Sequence, residues 1–218
     1  MEFIYFLFRW GHLLFGITWI GMLYYFNFVQ GGYFKQASPE GLADAKAKLA
    51  PSALWWFRWG AMFTFITGVV LLVGLFHNTA GVSLLNNAII VGATLGTLMF
   101  LNVWLVIWPA QQIALGLNGK TGDGPANAAK ALLASRTNTL FSGPMAFGML
   151  ASPHASSWGG SGYGTAVGGV DLIICLVIIA VLEANALFGK QGPMTTVKGV
   201  IHSSLALTAI LFGILYFV

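Results

Sequence analysis

The stretch GGYFKQASPEGLADAKAKLAP, residues 31–51, is a charged island between two long apolar runs. Every lysine lies in this stretch or in one of two later polar stretches: Lys35, Lys46 and Lys48 in the first, Lys120 and Lys130 in the second, Lys190 and Lys198 in the third. The connections between them, 77–83 and 152–162, carry no Lys, Arg, Asp or Glu. Because cytoplasmic loops of membrane proteins are enriched in Lys and Arg, this pattern predicts six spans with both termini outside and the Lys-bearing loops in the cytoplasm.

The composition excludes an ordinary soluble domain. Of the 218 residues, 57% are hydrophobic and only 7% are charged, whereas average soluble domains carry about 25% charged residues. The mean hydropathy is +0.81, and the apolar runs reach the roughly 20 residues that cross a hydrocarbon core. We therefore predict one all-α domain over residues 1–218, a multi-pass helical bundle of the bacterial inner membrane whose first partner is the lipid bilayer.

The net charge of +4 does not predict nucleic-acid binding. The lysines lie in predicted cytoplasmic loops, where they face anionic lipid headgroups. The single cysteine, Cys175, lies inside an apolar run and has no second cysteine for an intrachain disulfide. Met1 and Glu2 do not form the basic start of a secretory signal, so we expect the first apolar run to be retained as a span.

Six helices are expected, because a backbone in lipid must satisfy its own hydrogen bonds. The apolar runs place them at about 3–29, 52–76, 84–107, 131–151, 170–188 and 196–218. The third is expected to end near Pro109. In the first connection, Ser38 followed by Pro39 predicts the start of a short interfacial helix. Gly92 and Gly96 form a Gly-x-x-x-Gly step typical of close helix packing.

Ionisable and amide side chains within the predicted spans are functional candidates, because polar groups are costly in lipid. A rise of about 1.5 Å per residue separates them by depth into two groups. The outer group comprises Arg9, His12, His77, His154 and Asp171. The inner group comprises Arg58, Asn102, Arg136, Asn138, Glu183, Asn185 and His202.

The outer histidines predict a b-type haem near the outer leaflet, because neutral imidazole suits haem iron. A bis-histidine site needs two ligands at similar depth. Depth favours pairing His12 with His154 or His77, since His202 lies about 13 Å deeper and is kept only as a further candidate. Arg9 shares the helical face of His12. Alternatively, these histidines only form hydrogen bonds with neighbours or interfacial water.

The inner group predicts an anion-binding pocket. The guanidinium groups of Arg136 and Arg58 can bind a planar anion, with Asn102 and Asn138 as amide partners. A carboxylate, a haem propionate or a planar acidic heterocycle would suit such a pocket, and Glu183 could act as general base. The alternative is an Arg136–Glu183 ion pair that only locks the bundle together.

Several segments resemble the membrane domain of bacterial membrane-bound urate hydroxylase, the urate oxidase N-terminal family. They are RWGHLLFGITWIG at 9–21, FRW at 57–59, NVWLVIWPAQ at 102–111, and RTNTLFSGPMAFGML at 136–150 followed by SPH at 152–154. The resemblance covers most of the first four predicted spans. It matches His12, Arg136, Asn138 and His154 to family positions, and it implies urate oxidation with electrons passed to a cytochrome.

This chain departs from that family in two respects. Full-length members carry a longer membrane domain and a C-terminal cytochrome c domain, whereas this chain contains no Cys-x-x-Cys-His motif. Its first connection is also shorter and lacks the histidines found there in the family. The resemblance therefore implies that the electron acceptor is a separate subunit.

We expect a membrane redox subunit that holds haem b and passes electrons to a cytochrome c or a larger respiratory complex, as a homo-oligomer or a hetero-oligomer. Two alternatives remain open. The first is an oxidoreductase of the urate hydroxylase type, with Arg136 and Glu183 as catalytic residues. The second is a non-catalytic accessory subunit. A transporter is least favoured, because the sequence shows no inverted repeat.

Overall fold

The computed structural model describes residues 2–77, 85–154, 157–164 and 167–218. Within these ranges the chain is helical and contains no strand. Three of its six long helices consist of two α-helical segments joined by a π-helical turn. In the first, the turn Tyr25–Gln30 joins α1 (Glu2–Tyr24) to α2 (Gly31–Gln36); in the second, Ala45–Leu49 joins α3 (Pro39–Asp44) to α4 (Ala50–Phe76). In the third, Asn102–Ile107 joins α5 (Asn87–Leu101) to α6 (Trp108–Ala114). The other three are α7 (Gly124–His154), α8 (Val170–Phe188) and α9 (Val197–Phe217), and 3₁₀ turns lie at Leu117–Gly119, Ser161–Tyr163 and Gly192–Thr195.

The predicted all-α membrane bundle is confirmed as a fold class. Five of the long helices are long and apolar enough to cross a membrane: Glu2–Gln36, Pro39–Phe76, Asn87–Ala114, Val170–Phe188 and Val197–Phe217. The sixth, α7, is less apolar, and it packs against α1, α5, α6, α8 and α9. A helix surrounded by other helices can carry polar side chains that find partners inside the bundle.

Two predicted boundaries are wrong. The connection over residues 31–51 is almost entirely helical, although its predicted helix start is confirmed, because the Ser38 side chain accepts a hydrogen bond from the Gly41 amide at 3.2 Å. The third helix does not end near Pro109 but continues to Ala114. Proline is tolerated in the first turn of a helix, and Pro109 is the second residue of α6, which begins at Trp108 directly after a π-helical turn. The predicted start at Leu84 and most of the 77–83 connection lie outside the described residues.

The close packing expected from glycine is confirmed between α5 and α7. A Cβ atom added at Gly92 would lie 3.2 Å from the Gly148 backbone, and one added at Gly148 would lie 2.7 Å from the Ala88 carbonyl oxygen. The two helix backbones therefore touch at this point, which fixes their separation.

Contacts between α1 and α4 set their relative direction. Gly60 lies against Trp19, and Gly68 lies against His12. The residue numbers of the contacting positions decrease along α1 as they increase along α4, so the two helices are antiparallel. Long helices joined by short connections usually alternate in this way. The bundle therefore has a Lys-bearing end, formed by residues 31–50, 115–130 and 189–198, and a Lys-free end.

Candidate functional site

Three polar side chains of the inner group meet inside the bundle and form a central amide network. Asn102, at the start of a π-helical turn, donates hydrogen bonds from Nδ2 to Asn138 Oδ1 at 3.0 Å and to Glu183 Oε2 at 3.1 Å. Asn138 in turn donates from Nδ2 to the Met99 carbonyl oxygen at 2.9 Å. Both amides are almost completely buried. The network therefore joins three residues of the inner group across α5, α7 and α8.

Arg136 does not join this network. It lies two residues before Asn138 on α7, and a two-residue step points side chains to opposite sides of a helix. Seven residues further along the Arg136 face, Gly143 packs against Ser204 of α9. Arg136 forms no ion pair with Glu183 within the described ranges, so the predicted bundle-locking pair is wrong. Its Nε and Nη1 atoms are buried without a hydrogen-bond partner.

Arg58 lies apart from the network and is stacked on tryptophan. Its guanidinium carbon is 3.4 Å from the ring centroid of Trp108 and 6.0 Å from that of Trp104. Such stacking is a cation–π interaction. The Nε and Nη1 atoms of Arg58 are also buried without a partner. No hydrogen bond within the described residues joins Arg58 to Arg136 or to the amide network, so the single anion-binding pocket stays a prediction.

His12 is held by α4. Its Nδ1 atom lies 2.9 Å from the Thr64 carbonyl oxygen and 3.1 Å from Thr67 Oγ1. A carbonyl oxygen can only accept, so Nδ1 carries the hydrogen and the lone pair is on Nε2. Within the described residues Nε2 makes no hydrogen bond. Gly68 leaves room for the ring, because a Cβ atom there would lie 3.0 Å from His12 Cε1.

The His12 ring lines a cavity of about 370 Å³ between α1, α4, α5 and α7, which we call the His12 cavity. Most of its lining is apolar. The other lining residues that bear on its chemistry are Arg9, Gly68, Gly96, Met145 and Met149. The size of this cavity is within the range of small-molecule sites.

The other three histidines do not line this cavity. His77 ends α4, is exposed, and donates from Nδ1 to the Val73 carbonyl oxygen at 2.9 Å. It lies nine residues, or about 14 Å, beyond Gly68 along the helix. His154 is exposed at the end of α7, and His202 is exposed on α9. The structure therefore does not bring His12 together with any of its predicted partners at the cavity.

Two further candidates have structural partners. Asp171, from the outer group, accepts a hydrogen bond from Asn87 Nδ2 at 2.8 Å, and Asn87 also binds the backbone of Gly168. Asn185, from the inner group, exchanges two hydrogen bonds with the Lys190 backbone. These side chains fix the ends of α5 and α8, which accounts for their position without a ligand.

Sequence reasoning missed a second cavity of about 320 Å³ at the Lys-bearing end, which we call the Asn27 cavity. Polar and aromatic side chains share its lining: Phe26, Asn27, Gln30, Phe34, Lys46, Phe57, Gln111 and Ser135. The one available signal was an asparagine within an apolar run. The π-helical turns that direct several of these side chains inward have no simple sequence signature.

Comparison with known proteins agrees with the family suggested by the motifs. The family model described as urate oxidase N-terminal matches residues 86–211, more than half of the 218-residue chain. No curated protein and no solved structure matches the chain. The matched range contains Asn102 and Arg136 but begins after the segment around His12, so it covers the third to sixth long helices rather than the first four. On this match, the chain belongs to the urate oxidase N-terminal family.

Proposed function

We propose that the protein is a membrane redox subunit that holds a b-type haem in the His12 cavity. The observation that carries the proposal is the environment of His12. Its Nδ1–H is held by the Thr64 carbonyl oxygen, and its Nε2 atom is left for a ligand. Ligating histidines usually donate their other ring N–H to a carbonyl or carboxylate, which fixes the tautomer and the ring orientation.

The lining supplies donor side chains of the kinds that would hold such a group. His12 supplies one imidazole, and Met145 and Met149 supply thioethers on the opposite helix. A histidine–methionine pair is an established haem ligand set. Arg9 provides a cationic side chain suited to a propionate. A bound haem would take up and release one electron, while the chain's residues hold it and exclude water.

The membrane placement of the site follows from the charge pattern. With the Lys-bearing end in the cytoplasm, the His12 cavity lies toward the outer side of a bacterial inner membrane. An electron acceptor on that side would be a cytochrome c or a larger respiratory complex.

The test is a reduced-minus-oxidised visible spectrum of the purified protein in detergent, with a pyridine haemochrome assay for stoichiometry. We expect a b-type signal in the parent protein. His12→Ala should lose this signal, because no other histidine lines the His12 cavity in the described residues. The matched control is His202→Ala, since His202 is exposed on α9 and should be dispensable.

Full haem content in His12→Ala would overturn the ligand assignment. Loss of haem in His202→Ala with retention in His12→Ala would move the site to α9. A folded parent protein without any chromophore would overturn the redox proposal and favour an accessory subunit.

A second candidate function is urate hydroxylation by this chain itself. It is favoured by the family match and by Arg136, which is only 9% exposed and has two guanidinium nitrogens without partners. A buried, unpaired guanidinium is costly unless an anion binds it. In this function Arg136 would hold the planar urate anion, and Glu183 would have to reach it as a base after a local rearrangement.

Urate turnover with an added cytochrome acceptor tests this second function. Activity in the parent protein that is lost in Arg136→Met and retained in the surface variant Lys130→Met would support it. No binding of urate at millimolar concentration would overturn it. The haem spectrum is independent of this assay, so the two functions can fail separately.

A further inference from the structure

The Asn27 cavity shares no lining residue with the His12 cavity and lies at the opposite end of the bundle. Its walls come from the ends of the first three long helices and the start of α7. Neither the proposed haem site nor the central amide network uses it. The presence of polar and aromatic side chains in its lining is therefore not explained by those two sites.

Two buried oxygen atoms in its lining side chains have no hydrogen-bond partner. Asn27 is 4% exposed, and its Nδ2 atom donates to the Leu23 carbonyl oxygen at 2.9 Å and to Ser135 Oγ at 2.8 Å, but its Oδ1 atom accepts nothing. Gln30 Oε1 is buried in the same way. An amide oxygen can only accept, and burying it unpaired is costly. A ligand that forms hydrogen bonds with these two oxygen atoms must carry O–H or N–H donors.

The walls favour a flat ring. Phe26 and Phe57 meet edge to face with centroids 5.5 Å apart, and Phe34 lines the same space. Aromatic side chains in such arrangements accommodate another planar ring. Lys46 is the charged residue in the lining, and no Asp or Glu accompanies it among the described lining residues. A cation is therefore disfavoured, and a neutral or anionic ring is favoured.

The backbone gives an independent indication of a site. Each of the three π-helical turns in the described residues contributes to this cavity: Tyr25–Gln30 through Asn27, Ala45–Leu49 through Lys46, and Asn102–Ile107 through Ile107. π-helical turns inside α-helices are rare and frequently lie at functional sites. Their convergence on one cavity is not required by packing of the bundle.

We propose that the Asn27 cavity binds a hydroquinone that enters from the bilayer. A hydroquinone is a planar, uncharged ring with two O–H donors at its edge, which matches the aromatic walls and the two unpaired acceptors. Three of the four long helices that line the cavity are apolar enough to span a membrane, and the lining of the fourth, α7, includes the exposed apolar residue Leu132. A lipid-soluble ring can reach it there. The proposal does not depend on haem at His12.

The test is a calorimetric titration of the parent protein in lipid nanodiscs with duroquinol under anaerobic conditions, with the signal of empty nanodiscs subtracted. The comparison ligand is the dimethyl ether of duroquinol, which keeps the ring but lacks both O–H donors. We expect the ether to bind about tenfold more weakly, because it leaves the acceptors of Asn27 and Gln30 unpaired. Equal binding of the two ligands would overturn the proposal.

Gln30→Leu should weaken duroquinol binding by about three- to tenfold through loss of one hydrogen bond. The matched control is Gln36→Leu, because Gln36 is exposed and outside the cavity. If Gln30→Leu does not fold, Gln111→Leu takes its place, with its neighbour Gln112→Leu as control, since only Gln111 lines the cavity.

Unchanged binding in the cavity variants would overturn the proposal. Binding of a water-soluble lactam such as uracil in place of duroquinol would overturn the hydroquinone assignment. None of these outcomes alters the haem spectrum of the parent protein, so failure here is distinct from failure of the proposed redox function.

Discussion

The polar atoms of the central amide network have hydrogen-bond partners, whereas several polar atoms of Arg58 and Arg136 do not. In the network, the nitrogens of Asn102 and Asn138 all act through hydrogen bonds to neighbouring helices. In Arg58 and Arg136, two guanidinium nitrogens each are buried without a partner. Polar groups that form hydrogen bonds hold helices together, whereas buried polar groups without partners lower stability. A ligand that forms the missing hydrogen bonds removes this cost.

The imidazole ring of His12 has one nitrogen with hydrogen-bond partners and one without. Its Nδ1 atom is paired with α4, and its Nε2 atom makes no hydrogen bond within the described residues. Polar side chains in this bundle therefore differ in which of their atoms have hydrogen-bond partners, and neither residue type nor depth predicts that difference. The four predictions below test this distinction, from the largest expected effect to the smallest.

Asn138→Leu should cause the largest loss of stability. It removes the acceptor for Asn102 and the donor for the Met99 carbonyl oxygen, and we expect a loss of about 2 kcal/mol in the free energy of unfolding. Unfolding in mixed micelles with increasing SDS measures it. The control is Asn127→Leu, whose exposed amide serves only the Asp123 carbonyl oxygen. An equal loss in both variants would contradict a special role for the network.

In the proposed haem site, Thr67→Val should weaken haem retention without removing the proposed iron ligand, His12. It deletes the hydroxyl that lies 3.1 Å from His12 Nδ1, and loss of a partner that orients a ligating histidine commonly costs about tenfold or more in affinity. Haem content after dilution, read from the visible spectrum, measures the effect. Thr94→Val is the matched control, because the Thr94 hydroxyl donates to the Ile90 carbonyl oxygen in α5. Identical retention in both variants would remove Thr67 from the site.

Trp108→Leu should lower the free energy of unfolding by about 1 kcal/mol, because it removes the ring stacked on Arg58. SDS unfolding again provides the measurement. Trp56→Leu serves as control, since Trp56 is exposed and contacts Trp55. A loss no greater than that of the control would show that the stacking contributes nothing to stability.

Arg136→Met should have the smallest effect on stability. The aliphatic part of the side chain is kept, and the unpaired guanidinium is removed, so the free energy of unfolding should stay constant or rise by up to about 1 kcal/mol. The same SDS titration applies. A clear decrease would mean that Arg136 has a structural role, and the contrast with Asn138 would then no longer hold.

Much of the fold was predictable from local sequence. The lengths and polarity of the apolar runs give six helices, and the α8 boundaries, Val170–Phe188, agree with the expected span. The helix start at Ser38 was also predictable, because its cap uses residues only three positions apart. The 31–51 connection was not, since a polar stretch beside a membrane span can continue as helix.

The candidate site was predictable only in part. Asn102, Asn138 and Glu183 were assigned to one inner group, and hydrogen bonds join their side chains. Arg136 was grouped with them by depth alone, although its spacing from Asn138 already placed it on another face of α7. Depth is a one-dimensional coordinate, and it cannot assign a side chain to a cavity without the rotation of its helix.

The sequence by itself determined where the six long helices lie and which polar residues lie within the apolar runs, and its charge pattern predicts that the lysines gather at one end. The tertiary structure decided which atoms of those residues are satisfied. It paired Asn102 with Glu183, fixed the His12 tautomer through Thr64, and left Asn27 Oδ1 without a partner. The physical reason is that helix formation depends on local hydrogen bonds, whereas pairing depends on helix rotation, which close glycine contacts and π-helical turns set across the whole bundle.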